Sequence, residues 1–318
     1  LAGGGFMLAL WFIAPAYSTI PITKDGRCLY AGFLIRVIPN QKIIRPDYLY
    51  YFTKSPQYNS FIQSSMKVVA QPNINAKQYG DLEFNVPELE VQDEIIEKLS
   101  KVLRVIDARK QELSKLDDLI KARFVELFGM PGSNTKGWKT IKLGECCALN
   151  PKKALDKRLS SGLTVSFVPM SAVSENGQIY TSETKEYDEV KTGFTYFSER
   201  DVLFAKITPC MENGKGAVAV GLCNDIGFGS TEFHVLRPIE GKSNPYWIYV
   251  LTSFDIFRKD AEVNMTGSAG QRRVPVTFFE NYKTALPPIE LQNEFEAFVE
   301  QTDKSKVILL TLLEIRVS

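Results

Sequence analysis

Histidine is almost missing from this chain: His234 is the single one among 318 residues. That removes most imidazole-based acid–base catalysis and most histidine metal sites at once. Cysteine is scarce too. The five thiols, Cys28, Cys146, Cys147, Cys210 and Cys223, are odd in number and show no CxxC spacing. Such usage speaks against a disulfide framework or a structural zinc and for a reducing compartment. Net charge is close to absent, with 38 Lys and Arg against 37 Asp and Glu. No global pull toward a polyanion follows, so an anion-binding surface has to be a local patch. Long apolar runs are lacking as well. Residues 6–17 form one of only about 12 residues, interrupted by Pro15 and without a basic flank; a bilayer span needs about 20, and the run makes a poor signal peptide. These absences favour a cytoplasmic chain without membrane contact.

What is present is ordinary in bulk, 44% hydrophobic and 24% charged, with room for about two domains. The order of residues is not ordinary, because the chain nearly repeats itself about 200 residues on. Phe33-Leu34-Ile35-Arg36-Val37 faces Phe233-His234-Val235-Leu236-Arg237, and Pro46-Asp47-Tyr48-Leu49-Tyr50-Tyr51 faces Asn244-Pro245-Tyr246-Trp247-Ile248-Tyr249 after a two-residue shift. Val86-Pro87-Glu88-Leu89-Glu90-Val91-Gln92 faces Leu286-Pro287-Pro288-Ile289-Glu290-Leu291-Gln292. Solenoid units run roughly 20 to 50 residues, so this is a duplicated globular module, each copy followed by a helix. The repeat sets Leu1 level with about Asp201. The first module, 1–88, is therefore expected to lack its opening and to be incomplete, with the apolar run 6–17 as an interior strand.

Residues 89–130 change to a helical period. Leu99, Val102, Ile106, Arg109, Leu113, Leu116, Ile120, Arg123 and Leu127 step by three and four, a heptad seam flanked by charge. Gly129, Pro131 and Gly132 end it. About 40 residues of helix reach roughly 60 Å, and a lone rod of that length needs a partner. Residues 289–318 supply one, with Phe295, Phe298, Leu309 and Leu312 on its stripe. The alternatives are two amphipathic helices on separate cores or an antiparallel coiled-coil pair; the pair is the expectation. Between the helices, 131–288 reads as an α+β domain. Strands are expected at 164–168, 201–207, 217–220 and 232–236, and helices at 246–259 and 275–282.

Two polar, glycine-punctuated loops carry the candidate chemistry. The first, residues 206–216, holds Lys206, Thr208, Asn213 and Lys215; lysines meet phosphates and amide side chains pair with adenine edges. It is equally a plain hairpin, since Asn213-Gly214 is a strong turn signal. The second, residues 266–273, holds Ser268, Gln271, Arg272 and Arg273, whose guanidiniums fork onto phosphate or guanine; it is equally an exposed loop with two solvated arginines. Its counterpart in the first module, residues 68–73, keeps Gln71 and loses both arginines, so the two modules would read different targets. No catalytic or metal constellation stands out. Asn244-Pro245-Tyr246-Trp247 resembles the Asn/Asp-Pro-Pro-Tyr loop of amino-methyltransferases only superficially and reads as a helix start.

Residues 201–216, 229–238 and 286–292 together resemble the specificity (S) subunits of type I restriction–modification systems. Residues 137–145 are similar to the opening of their target-recognition domain, and residues 120–129 to the end of their central spacer helix. The resemblance implies an α+β fold with two target-recognition domains, the first incomplete here, joined by long antiparallel spacer helices. It implies a non-catalytic chain that directs adenine-N6 methylation and restriction to a bipartite site on double-stranded DNA. The implied partners are adenine methyltransferase (M) and motor-nuclease (R) subunits. S-adenosylmethionine and ATP would sit on those partners, with no cofactor in this chain. Two rival readings are a coiled-coil assembly adapter that binds only protein and a small-molecule transferase built on the glycine-rich loops.

Overall fold

The computed structural model divides into two units, Leu1–Ala108 and Arg109–Ser318. It describes residues 6–9, 16–19, 34–65, 74–268 and 270–317. In the first unit β1 (Phe6–Ala9), β2 (Ala16–Thr19) and β3 (Leu34–Val37) pair antiparallel in the order β2-β1-β3. The apolar run expected as one strand is thus two, and residues 10–15 lie outside the described residues. The loop 68–73 also lies outside the described residues.

Helices follow. α1 (Pro46–Phe52) starts on a proline whose fixed φ suits a first turn. α2 (Pro56–Ser65) comes next. α3 (Ala76–Gly80) is closed by a capping box between Asn75 and Gln78. Tyr58, Ile62 and Ile74 form a small core among them. α4 (Leu89–Phe128) is 40 residues long and crosses the boundary between the units. Near its start Gln92 is fully buried. Its carbonyl accepts the Arg45 N–H at 2.7 Å, and its amide donates to the carbonyls of Ile43 and Pro87 at 2.9 and 2.7 Å.

The second unit adds β4 (Lys139–Lys142), β5 (Cys147–Leu149), β6 (Thr164–Val168), β7 (Thr184–Glu186), α5 (Tyr187–Val190) and β8 (Thr195–Ser198). Then come β9 (Val202–Ala205), β10 (Gly216–Val218), β11 (Ile226–Gly229), β12 (Phe233–Pro238), α6 (Pro245–Ser253), α7 (Asp255–Val263), α8 (Val276–Asn281), β13 (Lys283–Leu286) and α9 (Ile289–Val317). Two four-stranded sheets, β10-β9-β12-β5 and β7-β6-β11-β8, stack, and β13 pairs with β4. Residues alternate across β9 and β12 as the pleat requires. Leu203, Ala205, Phe233 and Val235 point to the other sheet with Val168 and Phe197. Val202, Phe204 and Leu236 point to the helices with Trp247, Ile248, Phe257 and Phe279. A sheet covered on both faces needs apolar residues throughout, which is why 202–205 reads as a continuous run.

The expected helix over 246–259 is broken at Phe254, whose backbone is extended. Tertiary packing overrides the local period there, for the Phe254 ring is buried 5.3 Å from that of Phe124.

The duplication is visible in path and in detail. The strand order β2-β1-β3 of the first unit recurs as β10-β9-β12 in the second. Gln292 repeats the role of Gln92: it accepts the Asn244 N–H at 2.9 Å and donates to Lys242 and Pro287 carbonyls at 3.1 and 2.9 Å. Glutamine suits this post because one side chain supplies both a donor and an acceptor. Replacing Gln292 with alanine leaves those backbone groups buried and unpaired; we expect a loss of about 2–3 kcal/mol in denaturant unfolding. An unchanged transition midpoint would show that water replaces the amide.

α4 and α9 touch within the second unit and run antiparallel. Phe124 and Phe128 stand 5.6 and 5.4 Å from Phe295, ring centre to ring centre. Arg123 pairs with Glu294 at 2.6 Å and Asp117 with Lys306 at 2.7 Å. Stepping back from Phe128 to Asp117 on α4 goes with stepping forward from Phe295 to Lys306 on α9. The seam differs from the expected one at both ends of α4. Past Ile120 it passes through Phe124 and Phe128, and Arg123 is a flanking residue ion-paired to Glu126 and Glu294. Leu113, Leu116 and Ile106 are half-buried, but Leu99 and Val102 are 39% and 48% exposed. An apolar stripe gives a helix the capacity to pair, not the partner. On α9 Phe295 is buried, Phe298 packs at its rim, Leu309 is half-buried, and the side chain of Leu312 lies outside the described set.

Candidate nucleic-acid interface

The register Gly216↔Phe204 and Phe233↔Ala205 puts the end of β9, the start of β10 and the start of β12 at one end of their sheet. The segment 206–215 is therefore the hairpin loop between β9 and β10, with the turn before β12 beside it. The segment after α7 is laid across both. Ile207 bridges Arg273, the Thr208 N–H reaches the Arg272 carbonyl at 3.1 Å, and the Val274 N–H reaches the Lys206 carbonyl at 2.9 Å. The two glycine-punctuated loops picked out in the sequence are thus one structure.

A residue the sequence did not flag holds that structure from beneath. Arg258, on the inner face of α7, is 7% exposed. Its guanidinium donates to the carbonyls of Thr252 at 2.8 Å, Met211 at 3.0 Å and Gly214 at 3.2 Å, and lies 4.1 Å over the Phe204 ring. Burial lowers its pKa to about 10, so it stays cationic at neutral pH. The close approach needs Gly216: a Cβ there would stand 2.8 Å from the Leu203 carbonyl oxygen and 3.3 Å from the guanidinium.

The expected free arginines are not free. Arg273 forks onto Glu232 at 2.8 and 2.9 Å and donates to the Gln271 carbonyl at 3.1 Å. Arg272 lies 3.5 Å from Glu262 and 4.0 Å from Glu212. Thr208 donates its hydroxyl to Glu212 at 2.7 Å, while the other Glu212 oxygen is buried without a partner among the described residues. Lys215 donates to the Met170 carbonyl at 3.2 Å. Three carboxylates thus neutralise the second loop, and they were missed because they come from the turn before β12, from α7 and from the facing hairpin. Lys206 is half-buried; burial lowers its pKa, Glu232 opposes the shift and Arg273 adds to it. The side chains of Asn213, Ser268 and Gln271 are exposed. This end therefore presents neutral hydrogen-bonding groups at its surface over an ion-paired base, an arrangement suited to reading base edges more than to gripping phosphates.

His234 is structural. Its Nε2–H donates to the Val274 carbonyl at 2.8 Å, and Nδ1 faces the Asn150 amide at 3.1 Å. Asn150 in turn accepts the Val235 N–H at 3.0 Å. Burial lowers the His234 pKa below its ordinary value. The unfolded chain then takes up a proton first as pH falls, so the stability this residue contributes is full above about pH 6.5 and lost below it. Unfolding free energy of the wild type should decline as pH falls below about 6.5, and His234→Gln should flatten that decline. An equal slope in both proteins would assign it to other groups.

Structurally this is a duplicated α+β module, each copy followed by a long helix, with the loops of the second copy gathered at one end of a sheet. The family model for the type I restriction modification DNA specificity domain matches residues 18–118 and 135–316, and the chain belongs to that family. It is 38% identical over 201 residues to the type I restriction enzyme EcoEI specificity subunit of Escherichia coli, covering 62% of this chain and 33% of that one. To the EcoAI specificity subunit of the same organism it is 37% identical over 205 residues, covering 63% and 34%. The chain thus spans about a third of the length of these curated relatives. A chain in a solved structure concerned with complex assembly and conformational transition of the type I R-M system matches with a TM-score of 0.50 at 18% identity, over 99% of this chain and 77% of that one. That likeness is one of fold. Among the described residues no helix is long and apolar enough to cross a membrane.

Proposed function

We propose that this chain is a DNA-reading specificity component of a type I restriction–modification assembly. The observation that carries the reading is the junction of the 206–215 and 264–274 loops at one sheet end, with Asn213 and Gln271 exposed on a base held by Arg258. Amide side chains pair bidentately with adenine, so this surface suits one half of a split site on double-stranded DNA. The helix pair sets where the module stands. Family membership supports the same role. The chain itself carries out no chemistry in this reading: methyltransferase and motor-nuclease subunits dock on it in the cytoplasm and bring S-adenosylmethionine and ATP.

The test is to assemble the full chain with a methyltransferase subunit and sequence the modified DNA. Adenine-N6 methylation should be confined to one split motif, and Asn213→Ala with Gln271→Ala should relax one half of it. Methylation that is independent of the chain, or not confined to a motif, would overturn the reading.

A further inference from the structure

A second charged surface lies outside these loops, on the segment between β5 and β6. Residues 150–163 contain Lys152, Lys153, Lys157 and Arg158 and a single acid, Asp156. Asp156 is spent internally. It takes a bidentate fork from Arg158 at 2.7 to 3.2 Å and the Tyr196 hydroxyl at 2.6 Å. Its pKa is held well below the usual carboxylate range, chiefly by Arg158, so the pair persists through the neutral range. The ammonium groups of the three lysines make no ion pair or hydrogen bond among the described residues.

The segment is nevertheless fixed in place. Leu159 and Leu163 pack on the outer face of the β7-β6-β11-β8 sheet with Val165, Tyr196 and Phe228. Asp188 accepts the Ser161 hydroxyl at 2.6 Å and the Gly162 N–H at 3.0 Å. Asn150, at its root, is tied through His234 to Val274 of the loop junction. Leu155 at the tip is 81% exposed. Holding three like charges on an anchored loop is unfavourable without a counter-charge, and in a chain of formal charge +1 it is a local anomaly.

We propose that Lys152, Lys153 and Lys157 form an arm that grips the DNA phosphate backbone without regard to sequence, while the loop junction reads the bases. The proposal rests on the DNA-reading role above and deepens it: affinity and salt dependence reside in the arm, base preference in the junction. Lysine suits this task as a mobile point charge that meets any phosphate.

The experiment compares the full wild-type chain with Lys152→Gln/Lys153→Gln/Lys157→Gln on a duplex bearing the motif and an unrelated duplex, over a salt series. The slope of log affinity against log salt should fall by about 2 to 3, and affinity at 0.15 M salt by about 100-fold on both duplexes, with the ratio between them kept. Each single variant should lower the slope by about 1. An unchanged slope overturns the arm. So does a variant that keeps the slope but no longer retains a methyltransferase subunit, which would make the arm a protein-docking surface. Wild-type chain that binds neither duplex removes the DNA-reading role itself; wild-type binding with an unaltered slope in the variants removes only the arm.

Discussion

Arg258→Met is expected to lower the stability of the second unit by about 5 kcal/mol, taking each of the three shorter charge-assisted hydrogen bonds as about 1.5 kcal/mol and the ring contact as up to about 1. For a unit of this size that corresponds to a melting temperature lower by about 10 °C in calorimetry. The carbonyls of Thr252, Met211 and Gly214 lose a common donor, and methionine fills the volume without replacing it. Two of those carbonyls belong to the β9–β10 hairpin, so the defect is delivered to the loop junction. Motif-specific DNA binding should weaken more than non-specific binding, which depends on charge rather than on loop conformation. Arg258→Lys keeps the charge but not the planar fork, and should recover only part of the loss. A methionine variant melting within about 2 °C of wild type would mean that water serves the carbonyls adequately.

Much of the fold was legible because its signals are local. The run Thr164–Val168 is a strand at the positions its composition indicates, since β-branched and aromatic residues suit a pleated, covered surface. The repeated Pro–Glu–Gln segments could be matched by eye, and the bonds of Gln92 and Gln292 supply the reason for the match. What was not legible depends on contacts between distant residues. Glu232 neutralises Arg273 across 41 positions of sequence, so the charge of the second loop could not be read from that loop. Arg258 lies on a helix where an arginine is as easily solvated as buried, and no periodicity distinguishes the two. The seam was misread at Arg123 because a three-residue step and a four-residue step from Ile120 are both helical. The rings of Phe295 and Phe254 select Phe124.

That selection predicts where the spacer is fixed to the module. Phe295 is fully buried, and its ring meets those of Phe124 and Phe128 edge-on, at 81° and 80°. Phe295→Ala should cost about 4 kcal/mol, the middle of the range for emptying a buried phenylalanine site. Phe295→Leu, which keeps most of the volume, should cost less than about 1.5 kcal/mol. Since the rings are in contact, the Phe124→Ala/Phe295→Ala double variant should lose less than the two single losses together, with a coupling of about 1 kcal/mol. The nearby Arg123–Glu294 pair is partly exposed, and removing it should change stability by less than about 1 kcal/mol. Three aromatic rings, more than surface charge, are then expected to hold α9 against the end of α4. Raising the salt concentration should weaken DNA binding yet leave the melting temperature of the seam nearly unchanged; a seam that melted earlier in high salt would transfer the fixing role to the ion pairs.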